Sequence, residues 1–246
     1  MTRVLAGSCA MGIMAKVPRS GEVKTRLVPP LTHQQASLLS ECFLRDVAAS
    51  IARTVDAHPG RVQGLAVYLP QGGEQVFDRL LPQGFRLLLQ RGEDLGERLF
   101  HATEDLLSAG FDSVCLVNAD SPTLPDSLLR EAMLALQAPE ERVVLGPATD
   151  GGYYLIGLKR ARRRLFQGIS WSTSEVLAQT VERAREMSLD VHLLPEWYDV
   201  DDRQSLRLLC RDLFAANGGG ARDGSGTSTR AFLETLLPQL DSPAIE

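Results

Sequence analysis

Ser113-Val-Cys-Leu-Val-Asn118, running into Ala119-Asp120-Ser-Pro-Thr-Leu-Pro125, is the stretch that decides the fold. A short unbroken apolar run bounded by polar residues and a Pro-rich turn reads as a strand covered on both faces, as in the middle of a parallel sheet. Working outward, Leu95 to Ala109 places Leu95, Leu99, Ala102, Leu106 and Ala109 at helical spacing and stops at Gly110. On the other side, Pro125 to Leu136 begins with Pro and an acidic residue, as helix N-termini prefer. The same alternation extends to both ends. Strands are expected at Cys9–Ala15, Val62–Leu69, Phe85–Gln90, Arg142–Gly146, Tyr153–Leu158 and Asp190–Leu194. Helices are expected from Thr32 to about Val55, Glu74 to Leu80, Ser172-Thr-Ser-Glu175 (as cap) to Met187, and Arg203 to Ala215. Thr32-His-Gln-Gln35 has the spacing of a capping box. This βαβα order predicts an α/β protein with three layers, α/β/α, around a mostly parallel sheet.

The chain has 246 residues, 44% hydrophobic and 23% charged, enough for a full core in one main domain. Its net charge of −5, without a Lys/Arg block, argues against nucleic acid or a membrane surface as partner and leaves small-molecule chemistry. Cys9, Cys42, Cys115 and Cys210 are scattered and read as reduced thiols of a cytoplasmic protein. The run from Val4 to Ala15 could be a short signal peptide, but it flows into Lys16-Val-Pro-Arg without a cleavage site and reads better as a first strand. No stretch has the roughly 18 apolar residues of a membrane span. Asn217 to Ser228 is rich in Gly and Ser, so the expected division is a catalytic domain over 1–216, a flexible connection over 217–228, and a short helix and tail over 229–246.

In an open parallel sheet, ligands lie beyond the carboxyl ends of the strands. Three segments qualify. After the first strand, Lys16, Arg19, Lys24 and Arg26 form either an anion seat for phosphate oxygens or a solvated charged loop. Asp120, after the central strand, could hold a divalent cation or merely cap a turn. A single Asp is a poor metal cage, and Asp199, Asp201 and Asp202 after the last strand offer a second carboxylate or a helix N-terminal cluster. Gly146-Pro-Ala-Thr-Asp150-Gly-Gly-Tyr-Tyr154 permits close backbone approach to a ligand or makes a tight hairpin. Trp171 could stack on a sugar or base, or anchor a loop. Walker A, G-x-G-x-x-G, G-x-S-x-G and H-E-x-x-H motifs are absent.

Met14-Ala-Lys-Val-Pro-Arg-Ser-Gly-Glu-Val-Lys-Thr-Arg-Leu27, Asp94-Leu-Gly-Glu-Arg98, Asp120-Ser-Pro-Thr-Leu124, Gly146 to Gly157 and Tyr198-Asp-Val-Asp201 together resemble the bacterial DUF2064 family of GT-A-type glycosyltransferases. More distantly the chain is similar to 2-phospholactate guanylyltransferases. The resemblance implies a nucleotide-diphospho-sugar transferase fold and a nucleotide or nucleotide-sugar bound with a small-molecule acceptor. It implies phosphate contacts from Lys16, Lys24 and Arg26, and base or ribose contacts from Gln90, Gly92, Gly96 and Arg98. It also implies a divalent cation, Mg²⁺ or Mn²⁺, on Asp120 and Asp201. Thr149, Asp150, Gly151, Gly152 and Tyr153 would face the acceptor, with Trp171 beside them. Asn118 stands where the family pattern has Gly and adds a side chain near the cation site.

The resulting expectation is a metal-dependent glycosyltransferase with Asp150 as acceptor-side base and Lys24 and Arg26 stabilising the leaving diphosphate. The alternatives are a nucleotidyltransferase releasing pyrophosphate from an NTP, and a non-catalytic nucleotide-binding protein. A homo-oligomer is compatible with the sequence.

Overall fold

The computed structural model describes residues 7–214 and 224–236. The chain alternates β1 (Cys9–Lys16), α1 (His33–Ala57), β2 (Val62–Leu69), α2 (Glu74–Leu80), β3 (Arg86–Leu89), α3 (Leu95–Ser108), β4 (Ser113–Asn118) and α4 (Asp126–Gln137). It continues through β5 (Arg142–Pro147), β6 (Tyr153–Leu158), α5 (Val176–Glu186), β7 (Asp190–Leu193), α6 (Arg203–Phe214) and α7 (Thr227–Leu236). The strands form one seven-stranded sheet in the order β3-β2-β1-β4-β6-β5-β7. β6 runs antiparallel to both of its neighbours, and the remaining pairings are parallel. The quoted stretch, β4, sits at the centre and is buried over Ser113 to Val117.

Period-two alternation sends strand side chains to two faces. On one face, Met11, Ile13 and Ala15 of β1 pack with Leu44, Val47 and Ile51 of α1 and Leu129 and Met133 of α4. On the other, Ala10 and Val67 pack with Leu99 and Leu106 of α3 and Ala184 of α5. Gly12 is needed in β1 because a Cβ there would lie 2.9 Å from Val67 and 3.1 Å from Leu116 side chains. These two clusters give the three-layer α/β/α arrangement.

Local signals explain most boundaries. Thr32 Oγ1 accepts from Gln35 N, and Gln35 Oε1 accepts from Thr32 N, completing the capping box of α1. Asp94 caps α3 by accepting from Glu97 N. The expected cap at Ser172–Glu175 is corrected by the structure. Ser172 has a φ of 65°, Thr173 bonds Ser170 O and Glu175 N, and α5 starts at Val176 with no side-chain cap. The Thr173 hydroxyl is spent on a turn instead.

The C-terminal part differs from a free appendage. Residues 1–6, 215–223 and 237–246, including most of the expected connection and the tail, lie outside the described residues. α7 begins two residues before the expected helix and packs on α1, with Leu233 and Leu236 joining Leu39, Phe43 and Leu209 in a third buried cluster. The buried Asp46 of α1 supplies its N-terminal partners, accepting from Ser228 N and Thr229 N at 2.8 Å each. Apolar burial and a borrowed cap hold this helix where Gly/Ser composition alone suggested freedom. Cys9 and Cys115 are buried free thiols with Sγ atoms 3.9 Å apart, and Cys42 and Cys210 are also free. Among the described residues no helix is long and apolar enough to cross a membrane.

Candidate functional site

The carboxyl ends of β1, β4 and β5 open onto one edge of the sheet, and antiparallel β6 starts there. The loop after β1 folds into a single 3-10 turn at Thr25–Leu27, preceded by Lys24 with a left-handed φ of 49°. Ser37 Oγ donates to Pro18 O and pins the start of this loop to α1. Beyond β4, Asn118 Oδ1 accepts from Asp120 N at 3.4 Å, so the side chain that departs from the family pattern shapes the turn presenting Asp120.

The segment after β7 brings the late acidic block to the same place. It runs beside the end of β5, with Trp197 N donating to Pro147 O and Thr149 N to Trp197 O. Val200 N then donates to Asp120 O at 2.9 Å, which locks Asp199 and Asp201 against the Asp120 turn. A second tie lies underneath. Thr123 Oγ1 donates to the buried Tyr198 hydroxyl, which donates to Asp212 Oδ2 at 2.7 Å.

Lys24 completes this arrangement. Its Nζ lies 2.6 Å from Asp120 Oδ1 and 2.8 Å from Asp201 Oδ1, with its side chain only 6% exposed. Burial pulls its pKa down, but the attraction of Asp120 and Asp201 outweighs burial and leaves it raised. Arg26 donates to Asp201 Oδ2 at 3.0 Å from outside, 70% exposed. Lys16 is exposed, its ammonium on Glu22 O. Together with Ala119, Met14 and Ser40 these groups line a cleft of about 290 Å³.

A second cleft of about 450 Å³ shares Arg26 and Asp201 with the first and is lined further by Thr149, Asp150, Asp199 and Arg211. Asp150 sits at the tip of the β5–β6 hairpin. Its Oδ1 accepts from Gly152 N at 2.8 Å, and Gly151 takes a φ of 89°. The hairpin reading and the ligand-facing reading of this segment are therefore compatible. Asp199, which sequence reasoning left among a cluster, is half-buried, and its pKa is pushed up to about 6, by burial first and then by Asp150, Asp201 and Asp120. Asp202 does the structural work expected of a helix-start acid. It accepts from Ser205 N at 2.9 Å, and the Ser205 backbone N–H holds its pKa down.

Other expected residues fall elsewhere. Tyr153 turns its ring into the core beside α5 rather than toward the second cleft. The Gln90 amide donates to Ala15 O and Val67 O, and Arg98 donates to Gly92 O and Glu93 O, so both shape the loop after β3. Trp171 packs on Gly96, where a Cβ would come within 2.8 Å of the indole. It lines a third cleft of about 370 Å³ with Phe100, Arg163 and Gln167, a lining that does not include Asp150.

Among the described residues no group of three or more His, Cys, Asp or Glu side chains could hold a metal ion. The Asp120–Asp201 pair nevertheless aims two hard oxygens at one positive point, the Lys24 ammonium, which suits a divalent cation whose remaining positions are filled by ligand oxygens.

Residues 52–173 match the family described as uncharacterized protein conserved in bacteria, DUF2064. A crystal structure from Desulfovibrio desulfuricans G20, assigned to the nucleotide-diphospho-sugar transferases, is 33% identical over 96% of this chain and 97% of its own, with a TM-score of 0.81. CMP:2-keto-3-deoxy-manno-octonic acid synthetase complexed with CTP shares the fold at 12% identity, 82% and 96% coverage and a TM-score of 0.53. So does glucosyl-3-phosphoglycerate synthase from Mycobacterium tuberculosis, in complex with Mn²⁺, UDP and glucosyl-3-phosphoglycerate, at 12% identity, 95% and 80% coverage and a TM-score of 0.50. No curated protein matches.

Proposed function

The chain belongs to the DUF2064 family with a nucleotide-diphospho-sugar transferase fold, and on that premise we propose that it is a divalent-cation-dependent transferase moving a sugar from a nucleoside diphosphate-sugar to a small acceptor. The observation that carries this reading is the convergence of Asp120 and Asp201 on one positive point, the Lys24 ammonium, with Arg26 on Asp201 from outside. Asp120 and Asp201 would hold Mg²⁺ or Mn²⁺, which supplies charge neutralisation to the diphosphate leaving group. Lys16, Lys24 and Arg26 add positive charge to the same phosphates, Arg26 with a planar fork suited to paired oxygens.

The second cleft takes the acceptor. Asp150 Oδ1 is held by Gly152 N, which leaves Oδ2 to receive a proton. As the acceptor oxygen bonds to the anomeric carbon, the bond from that carbon to the β-phosphate oxygen breaks, and the hydroxyl proton passes to Asp150. Asp199, whose pKa lies near 6, adds negative charge beside the positive character that develops on the sugar.

A second reading, nucleotidyl transfer, draws support from the same fold in the CTP-bound synthetase. In this second reading a phosphorylated acceptor would attack the α-phosphate of an NTP and pyrophosphate would leave. The test is incubation with panels of NDP-sugars and NTPs, with Mn²⁺ and candidate acceptors. Free NDP from an NDP-sugar, lost in Asp120→Ala, supports sugar transfer. Pyrophosphate release in its place moves the assignment to nucleotidyl transfer. Nucleotide-induced thermal stabilisation that is independent of metal and unchanged in Asp120→Ala overturns both and leaves a nucleotide-binding protein.

A further inference from the structure

We propose that Lys24 is an internal counter-ion that keeps the Asp120–Asp201 pair closed to a free divalent cation and gives it up only when nucleotide phosphates arrive with that cation. The proposal rests on the cation reading given above. Three features carry it. The ammonium occupies the point on which the two carboxylates converge, at 2.6 and 2.8 Å. Its side chain is 6% exposed, whereas the carboxylates are 35% and 34% exposed, so the acids stay open to solvent while the lysine that joins them is buried. Lys24 also holds a left-handed φ of 49°, which non-glycine residues seldom adopt, and its Nζ lies 5.6 Å from the centroid of the Phe43 ring.

An ammonium and a divalent cation cannot share that point. A free cation would have to drive Lys24 out, and the ammonium would give up both carboxylates before any phosphate was there to receive it. Phosphate oxygens change the balance. They accept the Lys24 ammonium, and they complete the cation's oxygen shell where the protein supplies only two carboxylates. The flexible four-carbon stem of lysine allows the ammonium to move from carboxylate to phosphate while Arg26 stays on Asp201 from outside. Lys24 thus sets the order of binding, with the cation entering together with its nucleotide.

The experiment is Mn²⁺ binding followed by the electron paramagnetic resonance signal of free Mn²⁺. It compares wild type, Lys24→Met and Lys24→Gln, each alone and with excess UDP or GDP, corrected by protein-free controls. Without nucleotide, both variants are expected to bind Mn²⁺ roughly ten- to a hundredfold more tightly than wild type, because no buried ammonium must leave. Mn²⁺ alone should also raise the melting temperature of the variants and not that of wild type. Should the variants fail to fold, wild type carries the test through its diphosphate-dependent gain in Mn²⁺ binding. Tight binding by wild type without diphosphate, equal to that of the variants, overturns the proposal and leaves the cation site intact. Absence of Mn²⁺ binding in every protein, with or without diphosphate, overturns the cation reading itself.

Discussion

Gly151→Ala should unsettle the hairpin that presents Asp150, and the size of the effect follows from two separate strains. Gly151 has a φ of 89°, where an L-residue is disfavoured by roughly 1–2 kcal/mol. An added Cβ would also stand 2.6 Å from Ser174 Cα and 2.7 Å from Ser174 C, with the carbonyl oxygen nearer still. These are backbone atoms and cannot rotate aside, so overpacking adds about 1–3 kcal/mol. The sum, about 2–5 kcal/mol, corresponds to a fall in melting temperature of roughly 4–20 °C for a chain of this size. The strain should first release the bond from Leu177 N to Gly151 O, which ties the start of α5 to the hairpin. Gly152→Ala is the control. Its backbone has no positive φ, and its Cβ would meet only the Asp150 carboxylate, at 3.1 Å. That variant should keep its melting temperature within about 2 °C while displacing the Asp150 side chain and lowering turnover. Calorimetry and turnover on both variants check the pair. A Gly151→Ala protein that melts with wild type would refute the reasoning.

Asp199 gives a pH prediction. Its pKa is raised from 3.8 to about 6 in the folded chain, so the native state binds a proton that the unfolded chain has already released between those values. The associated stability is fully present below about pH 4, and is lost as pH rises through 6. Urea unfolding in metal-free buffer should show Asp199→Asn losing less stability than wild type between pH 4.5 and 7. Identical slopes would contradict the raised value. Asp46→Ala removes the acceptor of two α7 amides, at a cost of about 1–3 kcal/mol. Hydrogen exchange should then quicken in α7 while β1 stays protected, and unchanged α7 exchange would count against the borrowed cap.

The sequence made the layer architecture legible because burial on two faces leaves unbroken apolar runs such as Val114 to Val117, and because Thr32 and Gln35 announce α1 directly. Strand direction was not legible. Tyr153 to Leu158 reads equally well either way, and only pairing with β4 and β5 shows that β6 is reversed. The functional segments were visible one at a time, through charge and glycine at strand ends. Their assembly was not, since Lys24 and Asp201 lie 177 positions apart and meet through a backbone bond from Val200 to Asp120. A helix-start reading suits Asp201 or Asp202 better than Asp199, and the structure bears out the difference, with Asp202 accepting from Ser205 N. Tyr153 and Trp171 were misplaced for a common reason. An aromatic beside a glycine-rich turn fits a ligand or a core equally well until its neighbours are known.

The tie between α1 and α7 carries a temporal consequence. A chain leaves the ribosome N-terminus first, so Asp46 emerges well before the amides it will bind, 182 and 183 residues later. Ser225 Oγ reaches Thr123 O at 3.5 Å, and a Cβ on Gly226 would come within 3.2 Å of the Thr123 side chain, so the same late segment backs the turn that carries Asp120. A nascent chain can therefore complete its sheet once β7 has emerged, yet the support behind its acidic cleft is fitted only after Ser225 and Gly226 have followed.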